Sequence, residues 1–147
     1  MLKISTQVRY GTRALVQIAE AHPGRAVPVG EIARAQRVSA KYLEHIVSAL
    51  KNAGLIRAVR GTAGGYRLAR PPRSIRLDEV VRALEGPPLV AECVDRPESC
   101  GRHATCPTRG VWVRIRRAID GVLKGTSLED LVEGSRARGK PPPNYAI

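Results

Sequence analysis

The feature that most restricts the fold is a pair of short amphipathic segments in the first third of the chain. The first spans Val29–Gln36, and the second follows Ser39, a favourable helix N-cap, and stops at Gly54, a favourable helix terminator. Only residues 37–38 separate them, which leaves room for a tight turn alone, so the pair predicts a helix-turn-helix. The second helix carries apolar residues at i, i+3, i+4 and i+7, namely Leu43, Ile46, Val47 and Leu50.

A β-hairpin is predicted directly after this helix. Residues 55–59 and 66–69 flank the glycine-rich tip Arg-Gly-Thr-Ala-Gly-Gly at 60–65. Glycines at such a tip permit positive φ and a close backbone approach to a phosphate or a groove floor, and Arg57, Arg60 and Arg67 supply positive charge. A tip of this composition taken alone is equally typical of a flexible loop. Its position after a helix-turn-helix favours a wing.

The rest of the chain is predicted to be helical around one cysteine-bearing loop. A first helix runs from Ser5 or Thr6 to Ala21, before His-Pro-Gly at 22–24. Its inward residues are Val8, Leu15, Ile18 and Ala19. The expected division is a winged helix-turn-helix at 1–86, the cysteine loop at 87–107, a long and a short helix at 108–134, and a disordered basic, proline-rich tail at 135–147. The fold class is therefore mainly α with a small β-hairpin.

A long helix is predicted from Thr108 to about Lys124. Its apolar stripe consists of Val111, Ile115, Ile119 and Val122. Burial of this stripe so late in the chain requires a partner, so we expect a homodimer. Thr126 and Glu129 are predicted to form the capping box of a final short helix that ends at Val132.

Charge is distributed unevenly along the sequence. Residues 1–76 contain 14 Lys and Arg against 3 Asp and Glu, a net +11, whereas residues 77–147 contain 11 against 10, a net +1. Segregated positive charge favours a polyanion partner, and binding that releases counterions depends on salt. With no Phe, four Tyr and one Trp, the chain has few rings for stacking on single strands, so duplex DNA is favoured.

The N-terminal sequence lacks the features of a secretory signal, and no apolar run reaches the length that a membrane span needs. We therefore expect a cytoplasmic protein without membrane association.

The motifs together resemble the Rrf2 family of winged-helix transcription regulators. The resemblance is carried by Arg9-Tyr10, by Tyr42-Leu43-Glu44, and most specifically by the Arg-Gly-x-x-Gly-Gly-Tyr wing at 60–66, and it covers residues 1–134. It implies a dimer that reads a palindromic operator with the second helix of the motif in the major groove. Tyr42 and Glu44 would then contact or discriminate bases, and Arg60 would reach the minor groove. The long helix would be the dimerisation helix.

The expected DNA-binding residues lie on the polar face of that helix and on the wing. A solvated surface is the ordinary explanation for one such face, and for a lone histidine such as His45, but the neighbouring wing favours DNA. The set is Ser39, Lys41, Tyr42, Glu44, His45, Arg57, Arg60, Gly61, Gly64 and Arg67.

Three cysteines, Cys93, Cys100 and Cys106, lie in one loop as C-x6-C-x5-C. An odd number in a reducing compartment argues against a disulfide framework, and the C-x2-C pairs of structural zinc sites are missing. Three thiolates suit an iron–sulfur cluster, [2Fe–2S] or [4Fe–4S], whose fourth ligand can be another residue. Free redox-active thiols and a zinc site stay open as alternatives. In the family that the chain resembles, three cysteines here mark the cluster-binding sensors.

The fourth ligand departs from the pattern that the resemblance implies. Arg109 stands where some members have a histidine, and Arg9 stands where others have a carboxylate. His103 is the expected substitute because imidazole binds iron well and this residue lies between two of the cysteines. A plain polar loop residue is an equal alternative for His103, and the other nearby ligands are Glu92, Asp95 and Glu98.

The sequence thus predicts a sequence-specific DNA-binding regulator, a repressor, which senses iron–sulfur status, redox state or nitric oxide through a labile cluster. The alternative is a repressor of the same fold that is metal-free and controlled by its thiols or by a partner protein. An enzyme, such as a small redox protein, is disfavoured because the sequence has no nucleophile–base pair, phosphate loop or paired catalytic carboxylates.

Overall fold

The computed structural model describes residues 3–139 and confirms a mainly α fold with one antiparallel hairpin. The helices are α1 (Thr6–Glu20), α2 (Val29–Gln36), α3 (Ala40–Asn52), α4 (Leu77–Glu85), α5 (Glu92–Asp95), α6 (Arg109–Gly125) and α7 (Leu128–Ala137). The strands are β1 (Ile56–Val59) and β2 (Gly65–Leu68), and single 3-10 turns occur at Pro72–Ser74 and Pro97–Ser99. Below, the head denotes residues 6–85, the wing residues 56–68, and the cysteine segment residues 87–107.

The start and the inner face of α1 follow from its sequence. The Ser5 hydroxyl accepts a hydrogen bond from the amide of Val8 at 3.1 Å, which satisfies one of the free amides of the first turn. All four predicted inward residues are buried, together with Gly11 and Ala14. A side chain at Gly11 would meet Leu84 Cδ1 at 2.4 Å, so any larger residue there would require the Leu84 side chain of α4 to shift.

The helix-turn-helix forms as predicted. Arg37 ends α2 in the left-handed conformation at φ 55°, and Ser39 then caps α3. The four apolar residues of α3 are completely buried in the core that α1, α2 and α4 share, namely Leu43, Ile46, Val47 and Leu50. This burial turns the polar face of α3 outward.

The wing is a hairpin of two four-residue strands, and the segment before α2 pairs with its second strand. Its register pairs Ile56 with Leu68 and Val59 with Gly65. Tyr66 also exchanges two backbone hydrogen bonds with Val27, at 2.8 and 2.9 Å, just before α2 begins. Strand β2 is therefore bonded to β1 on one side and to the segment before α2 on the other.

The C-terminal part differs from the expectation at one helix boundary. The capping box is formed by Ser127 and Asp130, one residue later than the predicted pair of Thr126 and Glu129. The Thr126 hydroxyl instead donates to the carbonyl of Val122, 2.8 Å away, and so belongs to the end of α6. The prediction was wrong because neighbouring Thr and Ser are both good caps and their sequence does not rank them.

The last helix is longer than predicted. It continues beyond Val132 to Ala137, so residues 135–137 of the expected disordered tail are helical, while residues 140–147 lie outside the described residues. Leu128 and Val132 of α7 are buried in the core of the head. Although the sequence grouped this helix with α6, its main contacts are with α1 and the 3-10 turn before α4.

The cysteine segment is more ordered than the expected loop. It contains α5 and the 3-10 turn at Pro97–Ser99, and α5 packs on α6. The long helix α6 itself has no buried residue. Within residues 3–139, no helix combines the length and apolarity that a membrane span requires.

Candidate nucleic-acid interface and cysteine segment

The exposed face of α3 presents the expected polar side chains. Lys41, Glu44 and His45 are exposed and Tyr42 is half-buried. The Ser39 hydroxyl oxygen accepts a hydrogen bond from the amide of Tyr42 at 3.1 Å, so its hydrogen stays available as a donor. This face offers a cation, a carboxylate and groups that can both donate and accept, which is the repertoire that base edges and phosphates require.

The wing places two arginines directly opposite each other. Arg57 on β1 pairs with Arg67 on β2, and Arg60 is exposed where β1 ends. Like charges at opposite positions destabilise a hairpin. Within the described part of the chain, none of these three side chains forms an ion pair with a carboxylate.

The glycines of the wing tip have distinct structural roles. A Cβ on Gly64 would lie 2.4 Å from the carbonyl oxygen of Val59, so the tight turn excludes any side chain there. Gly65 has a φ of +149°, and its Cβ would meet the backbone of Val27 at 2.4 Å. The structure thus uses these two glycines to close the tip and to dock the wing on the head, and it leaves Gly61 exposed at a φ of +107°.

The three cysteines are free thiols and are half-buried at separate places. Cys93 lies in α5, Cys100 follows the second 3-10 turn, and Cys106 precedes α6. Among residues 3–139, no group of three His, Cys, Asp or Glu side chains is arranged to hold a metal ion. The donor types are those that iron–sulfur chemistry uses, but this structure does not preassemble them around a common point.

The thiol of Cys106 is activated by its neighbours. The Thr108 hydroxyl, 3.3 Å from its Sγ, is the main cause of a lowered pKa for this thiol, and the backbone amides of Thr108 and Arg109 add to the effect. A lower pKa increases the thiolate fraction, and the thiolate is both the metal ligand and the nucleophile.

The expected fourth ligands have other contacts. His103 is exposed and its Nδ1 lies 2.9 Å from the carbonyl oxygen of Cys100. Glu92 forms an ion pair with Arg96 at 2.6 Å, and Asp95 forms one with Arg116. Glu98 is exposed. None of the four is directed toward a shared site with the cysteines in this arrangement.

Two arginines of α6 hold the cysteine segment against that helix. The Arg109 Nε donates to the carbonyl oxygen of Cys93 at 3.2 Å, and Arg116 bridges Asp95 of α5 and Asp120 of α6. These arginines are seven residues apart and therefore lie two turns apart on nearly the same side of α6. We call these contacts the arginine clamp. The sequence analysis missed it because pairing between residues 95 and 116 has no local signature.

The apolar stripe of α6 is largely uncovered. Val111 and Val122 are 48% and 65% exposed, whereas Ile115 and Ile119 are half-buried. Trp112, which the sequence analysis did not single out, extends this surface with 38% exposure. Its i, i+3 relation to Ile115 was the signal that could have placed it beside the stripe.

A capped helix-turn-helix with a polar outer face, followed by an arginine-bearing wing, defines a winged-helix DNA-binding regulator. The sequence pattern of the Rrf2 family, described as an iron-dependent transcriptional regulator, matches residues 4–134. The chain belongs to the Rrf2 family.

Relatives support this assignment at the level of sequence. The chain is 38% identical over 130 residues to the HTH-type transcriptional regulator CymR of Bacillus subtilis, which covers 88% of this chain and 89% of CymR. It is 32% identical over 131 residues to the regulator IscR of Aliivibrio salmonicida, covering 89% of this chain and 77% of IscR. These relatives are transcription regulators rather than enzymes.

Solved structures agree with the fold. The structure of CymR, the global cysteine regulator of B. subtilis, superposes with a TM-score of 0.76 at 38% identity and covers 91% of this chain and 98% of that one. The structure of T. potens IscR superposes with a TM-score of 0.77 at 32% identity and covers 99% and 97%. The protein is thus similar to both a cysteine regulator and an IscR protein.

Proposed function

We propose that this DNA-binding regulator acts as a homodimeric repressor that reads a palindromic operator and responds to the state of its three cysteines. In each subunit α3 enters the major groove and the wing lies against the minor groove. The observation that carries the DNA-binding part is the set of wing arginines that have no carboxylate partner among residues 3–139.

In the absence of DNA, the positive charges of the wing destabilise its hairpin. Arg57 and Arg67 repel each other across the hairpin, and the buried Nε of Arg67 has no hydrogen-bond acceptor in the part of the chain that the structure describes. Backbone pairing with Val27 and the packing of Leu68 hold this arrangement in place. The negative potential of a minor groove relieves the repulsion, and the exposed Arg60 can extend along it.

On α3 the proposed contacts divide into positioning and base reading. Ser39 and Lys41 donate to phosphates, which fixes the helix on the duplex. Tyr42, Glu44 and His45 face base edges, where a carboxylate accepts from cytosine and is repelled by phosphates. The exposed Gly61 and the tightly turned Gly64 bring backbone close to the sugar–phosphate chain.

The dimer is proposed from α6. A helix with no buried residue and an exposed apolar stripe is not stabilised by its own chain alone, and a second copy of the same stripe would cover both. Two-fold pairing would place the recognition helices about 34 Å apart, one turn of the duplex, or a multiple of that distance. This spacing is what a palindromic operator requires.

The cysteine segment is the proposed sensor, and the arginine clamp connects it to the dimerisation helix. A labile [2Fe–2S] or [4Fe–4S] cluster would be held by Cys93, Cys100 and Cys106, with His103 as the fourth ligand. The donor set supports this assignment, and formation of the site requires the segment to rearrange. Such a cluster would supply reactivity toward oxygen or nitric oxide.

A thiol-based sensor is the second candidate, and one observation favours it. The lowered pKa of Cys106 makes a reactive thiol available without any metal. In both cases a chemical change in the segment alters the contacts that hold α5 on α6.

The DNA-binding proposal is tested with an operator selected by the protein from a randomised duplex library. We expect Arg60→Ala to weaken binding to all sequences and to reduce the salt dependence. Glu44→Ala should relax discrimination at one base pair by about 5- to 100-fold while changing non-specific binding little. Arg138→Ala, which removes a charge beyond α7, is the control. Equal losses on every sequence for Glu44→Ala would contradict base reading by α3.

The sensor proposal is tested by purifying the protein without oxygen and recording absorption and Mössbauer spectra. A cluster gives a brown protein, whereas a thiol sensor is colourless. Operator affinity is then compared for this sample, for the same sample after oxygen or nitric oxide, and for a variant with Cys93, Cys100 and Cys106 all changed to alanine. Identical affinities in all cases would show that the cysteines are not the sensor.

A further inference from the structure

We propose that Tyr10 of α1 is a positioning residue that orients the Tyr42 ring for base reading and thereby controls sequence discrimination without contacting DNA. This inference rests on the proposed role of Tyr42 in α3. The observation behind it is an aromatic contact between the two helices. The ring centroids of Tyr10 and Tyr42 are 6.0 Å apart, and their planes are inclined at 88°, an edge-to-face pair.

The backbone and the ring of Tyr42 are held by separate parts of the protein. Ser39 fixes the backbone, because its hydroxyl accepts the Tyr42 amide hydrogen at 3.1 Å. That bond leaves the side-chain torsions free. The ring is half-buried and packs against the core, where Tyr10 supplies an aromatic neighbour. Edge-to-face pairs have a preferred geometry, so Tyr10 restricts the rotamers available to Tyr42.

The Tyr10 ring is itself supported within α1. The Arg13 guanidinium carbon lies 5.9 Å from the centroid of the Tyr10 ring, in a cation–π contact between residues one turn apart. Tyr10 is half-buried and packs against the core. Arg13, Tyr10 and Tyr42 thus form a short column from α1 to the N-terminal turn of α3, where recognition helices contact base edges.

Pre-orientation of a reading side chain affects discrimination more than overall affinity. A ring that is free to rotate can still contact DNA, but it does so equally well on several sequences, and it loses rotamer entropy on binding. Phosphate contacts from the wing and from Lys41 are unaffected. Loss of the Tyr10 ring is therefore expected to lower the preference for the correct base and to leave non-specific binding unchanged.

The test uses the full-length protein, the operator selected in vitro, and operators with single base-pair changes at constant salt. Tyr42→Leu identifies the base pairs that this residue reads. Tyr10→Leu should reduce discrimination at those same base pairs by about 3- to 10-fold, the size expected for an aromatic pair. Tyr10→Phe, which keeps the ring, should discriminate between base pairs as well as the wild type does. The double variant Tyr10→Leu, Tyr42→Leu should match Tyr42→Leu alone.

Val16→Ala is the matched control, because Val16 also lies on α1 and packs against the same core. It should lower thermal stability without changing discrimination. Tyr10→Met, whose longer and unbranched side chain adapts to irregular gaps, replaces the leucine variant if the latter does not fold. Additive losses in the double variant, or an equal loss on all sequences with Tyr10→Leu, would overturn the inference while leaving the role of Tyr42 intact. No loss with Tyr42→Leu would overturn both.

Discussion

The head and α6 use their apolar residues in opposite ways. In the head, α1 to α4 bury their apolar faces in one core, and α7, from outside the head, completes this core with Leu128 and Val132. In α6 no residue is buried, and the largest apolar side chains are exposed or half-buried. The chain by itself therefore buries the apolar faces of the head, whereas α6 keeps an exposed apolar surface.

The same contrast applies to charge. In the wing, arginines have no carboxylate partners in the described residues, whereas on α6 Arg116 bridges two aspartates. Arginines without a carboxylate partner are available to bind an external polyanion. An arginine that is paired within the chain instead holds two elements together, as Arg116 holds α5 on α6. This difference supports the proposal that the head binds DNA and that α6 with the cysteine segment provides the dimer contact and the response.

The largest expected effect concerns the core of the head. Leu43 is completely buried, so Leu43→Ala should lower the free energy of unfolding by about 2–5 kcal/mol. Denaturant unfolding followed by circular dichroism measures this change. In the background of a monomeric α6 variant, Val122→Ala should change the free energy by less than about 0.5 kcal/mol. Comparable losses at both sites would mean that α6 packs on the head more than its exposure indicates.

The next effect concerns the apolar stripe. The double variant Ile115→Glu, Ile119→Glu should be monomeric in light scattering and should bind the operator at least about 100-fold more weakly, because two linked half-site contacts are lost. Lys124→Glu changes the net charge by the same amount on another side of α6 and should remain dimeric. A dimeric double variant would show that another surface forms the interface.

The arginine clamp should control the response to the cysteines. Allosteric coupling between two sites typically changes affinity by about 5- to 150-fold, which is the ratio of operator affinities before and after oxygen exposure that we expect for the wild type. Arg116→Gln should bring this ratio close to one. Arg117→Gln, the exposed neighbouring arginine, should keep the ratio of the wild type. If the affinity ratio of Arg116→Gln were the same as that of the wild type, the arginine clamp would not transmit the response of the cysteines to the DNA-binding head.

The smallest effect concerns the junction between α6 and α7. Ser127→Ala should cost about 1 kcal/mol, because the hydroxyl caps α7. The Ser127 amide and hydroxyl also lower the pKa of Asp130. The stabilisation from this carboxylate is therefore present above its ordinary pKa and is lost as the pH falls through the lowered value. Ser127→Ala should weaken this acid dependence in thermal melts, whereas Ser135→Ala, at an exposed hydrogen bond to Glu20, should not.

The sequence by itself determined the elements whose signals are local. Periodic apolar residues set the inner faces of α1 and α3, Ser39 set the start of α3, and the glycines at 61–65 set the wing, because each depends on neighbours a few residues away. For the same reason the sequence could identify the polar face of α3. It could not rank Thr126 and Ser127 as caps, since both satisfy the same local rule.

Only the tertiary structure decided which distant residues meet. It placed α7 on α1, Arg116 against Asp95, Tyr10 against Tyr42 and Val27 beside the wing. It also placed at separate positions the three cysteines that the sequence had suggested as cluster ligands. These contacts depend on how whole helices pack, and packing is selected by the total buried surface and shape of the core, so no single stretch of sequence specifies them.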